Sequence, residues 1–439
     1  MSPSNPQPSA KSLSLGVIFL TIFIDLVGFS VIFPLFPSML DYYLELDGQH
    51  GLLAWILEQL AHVTDGSERF TPVLFGGVLG SLYAALQFVF APIWGAFSDR
   101  VGRRKVLLIT TTGTFLSYFV WLFAGNFALL IVARLIGGAM AGNLSVATAA
   151  VADVTTKENR SKGMGMVGAA FGLGFVVGPA IGGTCAMLNP LDWNPDLGAV
   201  GINPFSTVAL VACGLSLVNI LWIRARFAES LPPEKRGQSK LSRNPLKRVF
   251  QPQSQAVLRT NIAYLVYIFA FSGMEFTLSF LGVQRFGYTP VDITLMMVFI
   301  GFILIVVQGG IVRRLAPKIG EKPTALGGLS LVAIGLALLS QAETQGSLYL
   351  GLTFMAIGSG LSIPTLTSLV SLYAKPEEQG AALGVFRSIG SLGRAVGPIS
   401  ASLVFWWYGS DVVYLIGAGI VALAVALCLR LPQPVKTEA

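Results

Sequence analysis

The stretch Gly95-Ala96-Phe97-Ser98-Asp99-Arg100-Val101-Gly102-Arg103-Arg104-Lys105 sets a dense knot of charge between two apolar runs, 72–97 and 106–124. Each run is long enough to cross a bilayer, which takes about 20 residues of helix. The link between them is long enough only to turn the chain straight back. Four of its residues are basic, so the positive-inside rule puts the turn in the cytoplasm. Standing alone, a basic turn of this kind is a topology signal.

Composition supports the membrane reading. Hydrophobic residues make up 54% of the chain, charged residues 12%, and mean hydropathy is +0.71. The net charge of +7 would suit a nucleic-acid binder if it were clustered on a soluble face. It is not. Only Arg69 and Arg285 fall in segments read as outside, and Arg134, Arg387 and Arg394 lie within apolar runs. Every other Lys and Arg lies in segments read as inside. That asymmetry is orientation, not nucleic-acid binding. Cys185, Cys213 and Cys428 sit in apolar runs, and His50 and His62 lack metal-site spacing, so no disulfide framework, metal or cofactor is expected. Residues 1–13 are polar, Pro- and Ser-rich, and lack the charged start and apolar stretch of a signal peptide, so they read as a cytoplasmic tail.

Hydropathy predicts twelve spans, at roughly 14–37, 72–97, 106–124, 127–152, 162–186, 205–223, 260–282, 290–312, 324–341, 347–372, 380–407 and 411–430. The fold class is therefore an all-α membrane protein. The expected organisation is a six-helix half over 14–223, a cytoplasmic linker over 224–259, a second half over 260–430 and a tail over 431–439. An even count puts both termini on the cytoplasmic side. Within the long first outer loop, 38–71, a short helix at 52–61 is expected on the membrane surface, and another near 246–250 in the linker.

The halves repeat. Gly165, Gly174 and Gly178-Pro179 recur as Gly384, Gly393 and Gly397-Pro398, each 219 residues on. The charged knot has an echo in Arg313–Lys322, with Gly320 lying 218 residues after Gly102. Duplicated halves with a linker between them suit a transporter whose substrate binds near the bilayer midplane and whose halves rock around it. Proline removes a backbone hydrogen bond and glycine admits a close neighbour, so Gly178-Pro179 and Gly397-Pro398 read as hinges or close-packing points.

The motifs resemble those of the major facilitator superfamily. Its signature between the second and third helices is matched by Gly95, Asp99, Arg100, Gly102, Arg103 and Arg104. Asp25-Leu-Val-Gly28 through Pro37 looks like the first-helix motif of drug:proton antiporters. Arg134-Leu-Ile-Gly137-Gly138 looks like their fourth-helix motif, and Gly174 through Gly183 like their fifth. The strongest likeness is to the tetracycline-efflux branch, and within it to the animal tetracycline-transporter-like proteins. Those are matched at Val151-Ala-Asp153, Phe271 through Phe280 and Arg387-Ser-Ile-Gly390. The resemblance implies transport of drug-like molecules, with organic anions in the animal branch. One departure matters. Bacterial tetracycline exporters carry acids in the third and ninth helices and a histidine in the eighth. Here those places read Leu116-Ser117-Tyr118-Phe119, Gly328-Leu329-Ser330-Leu331 and the neighbourhood of Leu304.

An ionisable residue inside a span costs at least ~2.5–3.5 kcal/mol on insertion scales, which makes it a functional candidate. Five qualify: Asp25, Arg134, Glu275, Arg387 and Arg394. Arg387 and Arg394 stand two helical turns apart, on one face. Three positive groups against two negative ones favour an anion, because Arg offers paired planar donors to a carboxylate or sulfonate. The alternative is that these groups only pair with one another. Tyr83, Gln87, Asn143 and Gln308 are the uncharged candidates; bonding to a neighbouring helix is their alternative. Asp99, Arg103, Asp153 and Arg160 are expected to form a cytoplasmic latch with the rest of the knot. No nucleophile–base pair or phosphate loop appears, so an enzyme is not expected.

The expected function is proton-coupled export of amphipathic organic anions or drugs by a monomer in a bacterial plasma membrane. Its partners are a small molecule, protons and lipid, and no nucleic acid. Two alternatives stay open. One is a uniporter or proton symporter for an organic acid or lipid-like anion. The other is a non-transporting sensor or scaffold.

Overall fold

The computed structural model describes residues 10–48, 50–63, 71–155, 160–231, 233–236, 254–374 and 379–433. Among them helices joined by short turns make up nearly the whole chain, and there is no strand. The first half contains α1 (Ala10–Ser30), α2 (Phe36–Asp47), α3 (Gly51–Val63), α4 (Thr71–Val101), α5 (Arg103–Leu122), α6 (Phe127–Met140), α7 (Asn143–Val154), α8 (Arg160–Ala186), the short α9 (Pro190–Trp193) and α10 (Ser206–Arg226). The second contains α11 (Gln255–Phe286), α12 (Pro290–Val306), α13 (Val312–Ile319), α14 (Glu321–Ser340), α15 (Gln345–Tyr373), α16 (Gln379–Tyr408) and α17 (Ser410–Leu429). Eleven helical runs are long and apolar enough to cross a membrane. The twelfth, α16, is 30 residues long and carries Arg387 and Arg394. Side chains mark several starts. Asn126 caps α6 by accepting from Leu129 N, and Thr289 forms a capping box with Asp292 at α12.

Three boundaries depart from the hydropathy reading. The first helical run does not end at 37. After a 3₁₀ turn at Phe33–Leu35 it resumes as α2, because Pro37 falls in the first turn of a helix, where its missing N–H is no loss. Asp47, at the end of α2, then accepts from Phe127 N at 2.5 Å. The fourth span is broken at Ala141-Gly142, where Trp94 packs so close to Gly142 that a Cβ could not fit. The eighth contains a π-turn at Val307–Ile311 between α12 and α13. The expected short outer helix is present as α3, with Leu53 buried. The expected linker helix near 246–250 lies outside the described residues.

The repeat in the sequence is a repeat in contacts. Gly174 and Gly178 of α8 lie against Leu26 and Ser30 of α1, and Ser30 Oγ donates to Gly174 O at 3.0 Å. Gly393 and Gly397 of α16 lie against Ile268 and Ser272 of α11, and Ser272 Oγ donates to Gly393 O at 3.2 Å. Small residues let these backbones meet, which is how helices associate where the hydrophobic effect cannot drive them. Gly102 and Gly320 both take positive φ, 104° and 96°, to start the next helix. Arg104 Nη2 then bonds Arg224 O at the end of α10, and Lys322 Nζ bonds Leu429 O at the end of α17.

Between the halves, α4 packs along α16 and α8 along α12. At the end opposite the basic loops the halves also meet head-on. Ser279 Oγ donates to Phe33 O at 3.2 Å, and the rings of Phe36 and Phe276 are 4.8 Å apart.

Candidate functional site: a charged cavity between the halves

Asp25 and Arg394 each stand fifteen residues from the start of their helix, about 22 Å along it at 1.5 Å per residue. That depth brings them into one cavity, lined also by Phe29, Tyr83, Gln87 and Phe175. Its volume is about 40 Å³. That is room for a water or two, far below the few hundred Å³ that encloses a drug-sized ligand. The contacts at Phe33 and Phe36 close the bundle at one end.

On the first-half wall, Asn143 Nδ2 donates to Asp25 Oδ1 at 2.8 Å. The guanidinium of Arg134 lies 5.5 Å from the centroid of the Tyr83 ring. Arg134 is 6% exposed and, among the described residues, no carboxylate pairs with it. A cation over a π face is the partner it has instead, and such contacts strengthen when desolvated. The glycines of the fourth-helix motif make room for it: Gly137 faces Ser117 and Tyr83, and Gly138 the backbone of Tyr83. Gln87 and Trp94 of α4 supply a different need. The break between α6 and α7 frees carbonyls, and Ala141 O accepts from Gln87 at 3.3 Å, Ala139 O from Trp94 at 2.7 Å. Gln87 therefore both lines the cavity and satisfies a helix break.

In the second half Ser391 and Arg394 line the cavity. Behind them Glu275 lies within electrostatic range of Arg394, and Arg387 feels the charge of Arg394 in turn. Tyr264 and Tyr267 border this group. Gln308 stands apart. It sits in the π-turn, with Oε1 3.2 Å from where a Cβ on Gly172 of α8 would be, so it belongs to the seam between halves.

The charged knot is a network around Arg103, which is 6% exposed. Its guanidinium pairs with Asp99 at 2.6 Å and Asp153 at 3.0 Å and donates to Ser98 Oγ at 2.5 Å. Gly95 comes close to Ser145 of α7. The side chain of Arg160 lies outside the described residues, and Arg100 is exposed.

Sequence reasoning missed one member. Glu229, three residues past α10, accepts from Arg103 N at 2.8 Å and Arg104 N at 3.3 Å. Its carboxylate thus sits on the N-terminus of α5, where free N–H groups and the helix dipole favour an anion. A Cβ on Gly102 would strike it. Ser230 Oγ donates to Asp153 Oδ2 at 3.1 Å, from the same turn of chain. The available signal was one of only two acids, Glu229 and Glu234, in a basic stretch. Phe175 was also missed, although the repeat marks it: it lies 219 residues before Arg394.

The sequence matches the model of the Major Facilitator Superfamily over residues 18–398 and 311–439. The mouse Major facilitator superfamily domain-containing protein 10 is 31% identical, over 99% of this chain and 96% of its own length. The class D tetracycline resistance protein of Salmonella ordonez is 27% identical, over 97% and 98%. Among solved structures, that of the human organic anion transporter MFSD10 (TETRAN) superposes with a TM-score of 0.76 at 32% identity, covering 96% of this chain and 100% of that one. A D-xylose-proton symporter does so at 0.74 and 17% identity over 98% and 100%, which speaks for the fold alone. Paired six-helix halves, a charged cavity between them and these whole-length matches lead to one assignment: the chain is a multi-pass membrane transporter and belongs to the major facilitator superfamily.

Proposed function

We propose that this transporter exports amphipathic organic anions in exchange for protons, by alternating access, as a monomer. The observation that carries the reading is the shared cavity of Asp25 and Arg394, one from each half, at equal depth. A group held between them bridges the two bodies that must move. Arg394 and Arg387 are the anion-binding groups, with Arg134 adding positive potential. Asp25 and Glu275 are the proton carriers, Tyr83 and the aromatic rings complete the walls, and Asn143 holds Asp25. The human relative of solved structure is titled an organic anion transporter, which agrees with the excess of arginine. The tetracycline resistance relatives point to a different cargo, but Ser117 and Leu329 stand in the helices where those exporters place acids.

The basic loops face the cytoplasm in this reading, and both termini and the 224–259 linker lie there. Cysteines placed at Val200 and Lys235 should then label from opposite sides of the membrane, Lys235 from the cytoplasm. Labelling of both from one side would overturn the topology.

The direct test uses purified protein in liposomes and a hydrophobic carboxylate with an imposed pH gradient. Uphill movement that reverses with the gradient and stops when the gradient is collapsed is the expected result. Flux indifferent to pH would make the protein a uniporter. No flux with any acid, together with a partner copurifying at fixed stoichiometry, would make it a scaffold.

The network at Arg103 serves as the latch that favours one access state, with the Gly-Pro pairs of α8 and α16 as points of yield. Asp99→Asn, Arg103→Ala and Glu229→Gln should each leave ligand affinity within a few-fold. Turnover should fall about ten-fold or more, since ~1.4 kcal/mol lost from one state shifts the balance by that factor. Unchanged turnover in all three would reduce the network to a structural brace.

A further inference from the structure

A second cavity, of about 160 Å³, lies on the flank of the second half, away from the charged site. Met274 of α11, Leu336 of α14, Ala401 and Val404 of α16, and Tyr414 and Gly417 of α17 form most of its wall. Two hydroxyls border it, and both are already engaged. Ser400 Oγ donates to Val396 O at 3.0 Å, and Tyr414 OH shares a hydrogen bond with Thr277 Oγ1 at 3.2 Å. A water needs two to four polar partners, so this space does not hold water well. An apolar cavity of about 150 Å³ is known to stay dry and to take a molecule the size of benzene. The occupant is therefore a hydrocarbon piece of roughly that bulk.

Two observations say which hydrocarbon. The wall residue Ile416 is 45% exposed, and its neighbours along α17 and α16 are large, apolar and exposed too: Leu415 57%, Val396 44% and Ile399 43%. On a spanning helix such a face meets lipid tails, so the cavity opens onto the membrane interior. Gly417, moreover, is not required by packing. A Cβ there would meet only Leu336 Cδ1, at an ordinary 3.5 Å. Glycine inside a helix costs roughly 0.5–1 kcal/mol relative to alanine. Here that cost keeps space open in the cavity wall instead of bringing two backbones together, in contrast to Gly393 and Gly397.

We propose that this cavity is a lipid site, taking a length of acyl chain from the surrounding bilayer. Its walls connect it to the transport machinery. Met274 precedes Glu275 on α11, and Ala401 lies two turns beyond Arg394 on α16. A chain lodged against α11, α16 and α17 would bear on the two helices that carry the charged cluster.

The test is photo-crosslinking in vesicles of phosphatidylethanolamine and phosphatidylglycerol doped with a phospholipid carrying a mid-chain diazirine. Adducts should concentrate on Ser400–Val404 and Val413–Ile420. Their yield should be several-fold above that on the exposed apolar face of α10 at Leu210, Leu217 and Leu221. Gly417→Leu and Ala401→Leu, which fill the space, should bring the yield down to that reference. Equal labelling of the two faces in the wild-type protein would overturn the proposal whether or not the variants fold. Unchanged labelling in a folded variant would overturn it too.

Discussion

Asp25→Asn and Glu275→Gln should each abolish uphill transport on a pH gradient while leaving downhill exchange of ligand intact. With the membrane potential clamped, one pH unit is worth about 1.4 kcal/mol per proton, enough for roughly ten-fold accumulation. Each variant should show none. The argument begins with what faces each acid. Whether a carboxyl at hydrocarbon depth holds a proton depends on burial and on the charges within a few ångströms. Glu275 has Arg394 as its nearby counter-charge, and Asp25 lines the same cavity as Arg394 with Asn143 as its hydrogen-bond partner. An anion that engages Arg394 draws that charge from Glu275 and so invites a proton there, while Asp25 depends on its amide partner. Asn143 suits the change of state. Its Nδ2 donates to Asp25, while its buried Oδ1 has no hydrogen-bond partner. Turned over, the amide offers an acceptor to a protonated carboxyl. If both variants still concentrate ligand on a pH gradient, proton coupling lies elsewhere or does not exist.

Much of the frame was legible because the bilayer imposes it. Apolar runs of spanning length and the 219-residue repeat point to the helices and their pairing. The repeat even identifies close contacts: the glycines recurring at that interval are those where α8 meets α1 and α16 meets α11. The breaks were not legible. Nothing in the hydropathy of 127–152 announces a gap at Gly142, because the cause is Trp94 on another helix. Charged site residues stood out because they are costly in a span. Glu229 did not, because an acid in a polar stretch costs nothing and acquires its role only when the chain folds back onto α5. Gln87 was recognised for its position, but most of its bonding goes to the helix break beside it. The depth match of Asp25 and Arg394 was hidden until both helix starts were known.

Arg394→Ala should remove most of the preference for acids over their uncharged analogues, a loss of about ten-fold or more in relative affinity. A hydrogen bond to a charged group contributes about 1.5–3 kcal/mol net, and ten-fold is ~1.4 kcal/mol. The sign of the preference follows from the arrangement. Arg394 lines the cavity, Arg387 stands two turns before it on the same helix, and Arg134 is held over a ring instead of a carboxylate. The third- and ninth-helix acids of the tetracycline exporters have no counterpart here to offset them. In a site of low dielectric, a positive group not fully compensated is costly, so an anion gains affinity that a cation cannot. Arg394→Lys should lose much of the preference as well, because an ammonium cannot reproduce the paired planar donors. The measurement is a binding or thermal-shift series on matched carboxylate, amide and amine analogues of one hydrophobic body, with wild type and both variants together. The wild type should rank acid above amide above amine, and the alanine variant should bind all three within a few-fold. Equal or tighter binding of the amine by the wild type would sink the anion assignment. The arginines would then be neutralised structural charges, and Asp25 and Glu275 would become the cargo's partners.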